Sequence, residues 1–173
     1  MTASPDPTQG PPATISTYQT SPDEAPAGDE AATGLQRIDP PELPRPSGFA
    51  YAIVAPADAR TVFLAGQTAM DADGQIIAPG DVVAQFEQAL ANLLTALRAA
   101  GGEPGHLASL TIYAVDLADY RAHARQIGAV WRRLIGTDYP AMAGIGVARL
   151  WDDAALVEVQ GIASIASVAA IAT

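Results

Sequence analysis

Two residue types with distinctive chemistry are missing from this 173-residue chain: it has no cysteine and no lysine. Without cysteine there is no disulfide frame, no thiolate nucleophile and no thiolate metal ligand. Without lysine there is no side-chain amine for Schiff-base chemistry; all 9 basic side chains are arginine. Positive charge is scarce as well: 9 basic residues face 19 acidic ones, for a formal net charge of −10. That balance argues against a surface that tracks nucleic-acid phosphates and against anionic membranes. The only histidines, His106 and His123, lack metal-ligand spacing, so no metal site is expected. No apolar run reaches the roughly 18 residues of a membrane span. The N-terminus is acidic and proline-rich and lacks the basic and apolar regions of a signal peptide. A cytoplasmic protein with neither nucleic-acid nor membrane partners is the expectation.

What is present divides into two regions. Residues 1–46 hold 10 of the 14 prolines, and their apolar residues follow no period. Such a segment cannot offset its ordering entropy, so a disordered, acidic, proline-rich tail is expected, of which Leu35 to Pro46 could lie extended along the body. Residues 47–165 have the patterning of one folded domain with a sizeable core. Residues 166–173 form a small, apolar C-terminal extension.

Within the domain, Phe49–Ala55 and Thr61–Gln67 read as strands around the polar turn 56–60. Asp81 is placed to cap a helix reaching about Ala100, with Phe86, Leu90, Leu93, Leu94 and Leu97 on one face and Gly101-Gly102 as its stop. A strand over Leu107–Val115 follows. Asp116 then opens a second helix, with a stripe of Tyr120, Ile127, Val130, Trp131 and Leu134 closed by Gly136. Strands over Met142–Leu150 and Ala155–Ile165 complete the order β-β-α-β-α-β-β. This is an α+β arrangement, a mixed sheet with two helices on one face. The last two strands are apolar on both faces, which points to burial of the free face by self-association.

Several segments in order resemble the Rid family, the YjgF-like enamine/imine deaminases. They are Val62-Phe63-Leu64-Ala65-Gly66-Gln67, Leu110-Thr111-Ile112-Tyr113, Tyr139-Pro140-Ala141, Val147-Ala148-Arg149-Leu150 and Leu156-Val157-Glu158-Val159. The resemblance implies a chorismate-mutase-like fold, a homotrimer, and ligand clefts between subunits that need no metal or organic cofactor. In such clefts water hydrolyses a 2-enamine or 2-imino acid to a keto acid and ammonia. An arginine clamps the substrate carboxylate and a glutamate orients the water. Carried over by position, the clamp falls on Met142, a thioether that cannot hold an anion, and the water-orienting carboxylate on Glu158. Ala143 and Gly144 follow the clamp, a second family glutamate is Gln160, the family's strand glycine is Gly66, and its tyrosine falls on Ala50 beside Tyr51.

The resemblance therefore implies Glu158 as the catalytic residue and Tyr51, Gly66, Met142, Ala143, Gly144 and Gln160 as substrate-binding residues. The expected activity is hydrolysis of a reactive enamine or imine with a substrate range altered by Met142. The alternative is a non-catalytic trimer that binds a small molecule or serves as a scaffold. In that case Glu158 is a structural carboxylate, an inter-subunit salt-bridge partner for instance of Arg149 across the hairpin, and Met142 plugs the cleft.

Overall fold

A computed structural model describes residues 33–166. Its longest helix, α1 (Val82–Ala99), forms where the leucine spacing requires it: Phe86, Leu90, Leu93, Leu94 and Leu97 are all fully buried. Burying such side chains stabilises the fold by roughly 1.5–3 kcal/mol each. The Asp81 carboxylate accepts from the backbone N–H groups of Val83 and Ala84, both at 3.0 Å, and satisfies two donors the helix itself cannot. At the other end the Gly102 N–H reaches back to Leu97 O at 3.0 Å, around Gly101 at φ +84°, a conformation that favours glycine.

The main sheet has four strands: β3 (Arg60–Gln67), β4 (Leu107–Ala114), β5 (Ala141–Gly146) and β6 (Val157–Ile165), in spatial order β3-β6-β4-β5. β4 and β5 are parallel, joined by a crossover through α2 (Leu117–Ala122) and α3 (Ala124–Leu134); the other pairs are antiparallel. The helices cover one face, where Leu110, Ile112, Val157, Val159 and Ala163 meet Phe86, Leu90, Ile127, Val130 and Trp131. The fold is thus the α+β mixed sheet with helices on one face. None of these helices is long and apolar enough to cross a membrane.

Several boundaries differ from the sequence reading, each for a local reason. The second helix is broken at His123, whose backbone (φ −95°, ψ 13°) leaves helical geometry and whose Nδ1 lies 3.0 Å from Asp119 O. The turn 56–60 forms, but its flanking strands enter different sheets. β2 (Ala52–Val54) pairs with β1 (Gln36–Ile38), while β3 pairs with β6. Leu35 to Pro46 take the extended course along the body that was open to them: Leu35 is fully buried, and the Arg37 Nε–H donates to Tyr139 O at 3.3 Å. Residues 1–32 and most of the C-terminal extension, 167–173, lie outside the described residues. β5 ends at Gly146, and β5 and β6 form no hairpin because β4 lies between them.

Gln85 joins α1 to the loop before β6. Fully buried, it donates to Ala154 O at 2.9 Å and Ala78 O at 3.3 Å and accepts from Leu156 N at 2.7 Å. Gln85→Leu keeps the side-chain bulk and strands three backbone groups. It is expected to cost about 2–4 kcal/mol in urea unfolding, at the upper end of what one buried polar side chain contributes.

Candidate functional site

β6 is bonded to a strand on each side, and its side chains alternate from Val157 to Ala163. Val157, Val159 and Ala163 go into the core, so Glu158, Gln160 and Ile162 stand on the face away from the helices. On β4, Tyr113 lies opposite Glu158 and Thr111 opposite Gln160; the Tyr113 hydroxyl donates to Gln160 Oε1 at 3.3 Å. On the other side, the β3–β6 register slips between Leu64 and Gln67, a bulge that frees the backbone at Ala65 and Gly66 from the ladder. The half-buried Glu158 carboxylate lies over Gly66, where any Cβ would overlap it. Among the described residues the Glu158 carboxylate has no ion pair or hydrogen bond. Glu158, Gln160 and Gly66 therefore come together as a polar island, with Tyr113 and Thr111 beside them. Apolar residues surround the island on the same face: Phe63 is 79% exposed, Ile145 43% and Ile162 38%.

The other expected residues gather elsewhere. Met142 pairs with Leu110 and Gly144 with Ile112, which turns both toward the helices, and Met142 packs against the core. Ala143, opposite Thr111, stays on the outer face. Tyr51, Met142 and Ala143 border a shallow pocket of about 370 Å³ along the edge of β5. Tyr51 is held by the docked N-terminal segment: its N–H donates to Asp39 Oδ1 at 3.2 Å and its hydroxyl to Pro44 O at 2.8 Å. Within one chain, the β5-edge group and the β6 group are separate, with β4 between them.

Within one chain Arg149 makes no ion pair with Glu158 among the described residues, and β5 and β6 form no hairpin that would bring the two together. Both histidines have local roles. His106 Nδ1 accepts from Glu103 N at 3.0 Å in a 3-10 turn, and His123 marks the helix break. Among the described residues no group of three or more acidic or histidine side chains could hold a metal.

Sequence reasoning missed Tyr113 as a member of the polar island. The alternation Leu110, Ile112, Ala114 placed it on the outer face, but its partner on β6 depended on a strand order that sequence does not reveal.

With this geometry in view, the family model described as Endoribonuclease L-PSP matches residues 47–165. The RutC family protein UK114 of Drosophila melanogaster is 35% identical over 109 residues, 63% of this chain and 75% of that protein. The 2-iminobutanoate/2-iminopropanoate deaminase of Capra hircus is 35% identical over 92 residues, 53% of this chain and 64% of the goat protein. Among solved structures, that of YyfB, a Rid-family protein of unknown function from Yersinia pestis, matches with a TM-score of 0.66. It is 34% identical and covers 76% of this chain and 98% of its own. The fold is thus shared with a solved Rid-family structure, and the sequence with a relative of the RutC family. The chain belongs to the Endoribonuclease L-PSP family, the Rid proteins.

A side chain at position 66 tests the contact at the centre of the island. Gly66→Ala is expected to fold with a near-unchanged core and to push the Glu158 carboxylate off its place. A crystal structure of the variant in which Glu158 has not moved would refute the contact.

Proposed function

We propose that the chain hydrolyses a reactive enamine or imine to a carbonyl compound and ammonia, in a cleft between copies of a homotrimer, without a metal or organic cofactor. The observation that carries this reading is the unpaired Glu158 carboxylate beside the exposed backbone of Gly66. A carboxylate so placed can accept a proton from water as its oxygen attacks the imine carbon. The carbon–oxygen bond forms while the carbon–nitrogen π bond breaks toward nitrogen. Proton transfer to nitrogen then lets ammonia leave and the carbonyl form. Gln160 and Tyr113 offer further hydrogen bonds for orienting water or substrate.

Two further observations support the details. The outer face exposes Phe63, Ile145 and Ile162 around the polar island, as a face buried between copies would. The β5-edge residues Tyr51, Met142, Ala143 and Gly144 would then belong to the same cleft as Glu158, Gln160 and Gly66 of a neighbouring copy. Met142 offers no cationic fork for a carboxylate, so the substrate is neutral or anchored otherwise. The name endoribonuclease finds no counterpart in the chain's chemistry: the net charge is −10 and there is no lysine to hold a phosphate backbone.

A second reading is favoured by the packing of Met142 against the core: the trimer binds a small molecule without turning it over. Purified protein assayed with 2-iminobutyrate and with a neutral imine, each generated in situ, separates the readings. We expect faster hydrolysis of the neutral imine, lost by about 100-fold or more in Glu158→Ala with the oligomer intact, the usual scale for a lost general base. No turnover of either substrate supports the binding-only reading. Rates on 2-iminobutyrate matching those of the goat deaminase would refute the altered range.

The assembly has its own check. Phe63→Glu places a charge on the most exposed apolar residue of the outer face. Light scattering is expected to give a mass near three times the 17.7 kDa chain for the wild type and a smaller one for the variant. An unchanged mass would mean that this face is not the interface.

A further inference from the structure

The four strands of the main sheet contain only two charged side chains, Arg60 and Glu158. Arg60 belongs to the helix side, where one guanidinium nitrogen donates to Ala100 O at the end of α1 at 2.9 Å. The outer face of these strands therefore carries one charge, the Glu158 carboxylate, and no cation. Its neighbours add acceptors rather than positive charge. Gln160 Oε1 accepts from Tyr113, and the Ala65 and Gly66 carbonyls accept from the Gln67 side-chain amide at 3.4 and 3.1 Å. Tyr113, opposite Glu158 on β4, adds an aromatic ring.

A carboxylate without a partner is costly to enclose between copies of the chain unless a positive group meets it. The exposed Phe63, Ile145 and Ile162 around it are the surface that such enclosure would cover. A small cation with N–H donors satisfies both the charge and the surrounding acceptors, and an aromatic ring attracts it further. The chain has the same preference at long range: 19 acidic residues against 9 basic ones draw cations in and repel anions.

We propose that the Glu158 island selects a cationic substrate: a small alkyl iminium ion that carries no carboxylate, held through its nitrogen by Glu158. This names the substrate class of the hydrolytic site and rests on that reading for turnover, although not for binding. One carboxylate oxygen accepts an iminium N–H while the other accepts a proton from the attacking water. The water oxygen bonds to carbon, and the π pair moves to nitrogen, which is already protonated and needs no further acid at this step. Glu158 then returns the proton to nitrogen. Ammonia leaves with the carbon–nitrogen pair and takes up the hydroxyl proton, so that iminium ion and water become aldehyde and ammonium.

Calorimetric titration of the full chain with isobutylammonium, isobutanol and isobutyrate compares one branched body bearing positive, no and negative charge. The ammonium ion is expected to bind saturably, one per chain, about tenfold or more tighter than the alcohol, the order of one charge-assisted pair. Isobutyrate should not bind. Glu158→Gln should erase the preference while the assembly keeps its mass. If that variant loses the assembly, the wild type decides alone: added salt should weaken the ammonium complex severalfold and leave the alcohol unaffected. Arg149→Gln should change nothing. Ammonium binding that appears only in Arg149→Gln would show that a neighbouring copy's arginine already neutralises Glu158, and would overturn the proposal. So would an ammonium ion bound no tighter than the alcohol, or a preference indifferent to salt. Hydrolysis of a carboxylate-free imine without this preference removes the cation site and keeps the hydrolytic reading; the preference without hydrolysis does the reverse.

Discussion

The alternation of side chains along β6 is the constraint on which the rest of this structure depends. The strand is bonded on both sides, and each of its residues is committed to one of two faces. Val157, Val159 and Ala163 close the core under α1, and the same register sets Glu158 and Gln160 on the opposite face. Core and candidate site are therefore not independent. A slip of one residue would place a carboxylate under the helices and two valines in the open. The bulge in β3 is the complementary device, since it brings a side-chain-free backbone under that carboxylate without disturbing the register that fills the core.

The sheet also divides the chemistry. Its outer face has a polar island in apolar surroundings, suited to water and a small polar substrate. Its helix-facing side is core, and the one cation of its strands, Arg60, turns there to the end of α1. The residues at Met142–Gly144 lie at the boundary, with Ala143 turned to one side and its two neighbours to the other. A thioether at position 142 suits the helix-facing side, because it packs against apolar residues where a guanidinium would demand partners.

How much of this was legible in the sequence follows from the range of the interactions. Helix α1, its capping aspartate and its glycine stop were readable, because they rest on residues within a few positions of one another. Period-two spacing put Glu158 and Gln160 on one face of their strand, although the apolar residues on both sides of the last two strands left the core face open. Strand order was not: β5 and β6 follow each other in sequence, yet β4 lies between them, a choice made by packing across the whole domain. The same holds for Tyr113 beside Gln160, for Gln85 spanning two loops, and for the docking of Leu35 and Arg37, whose proline-rich surroundings read as tail. The family segments supplied the fold that local patterns left open, and the position of Glu158 came from them and from alternation alike.

The order in which the strands are made carries a cost. β3, β4 and β5 leave the ribosome before β6, yet β6 alone bridges β3 to β4. Until residues 157–165 emerge, β3 has no partner in the main sheet and one edge of β4 is open. A nascent chain stalled before that point would present unsatisfied strand edges rich in aliphatic residues, the kind of surface that recruits chaperones or templates aggregation. The strand that sets the register in the finished molecule is thus also the one whose late arrival leaves the growing polypeptide most vulnerable.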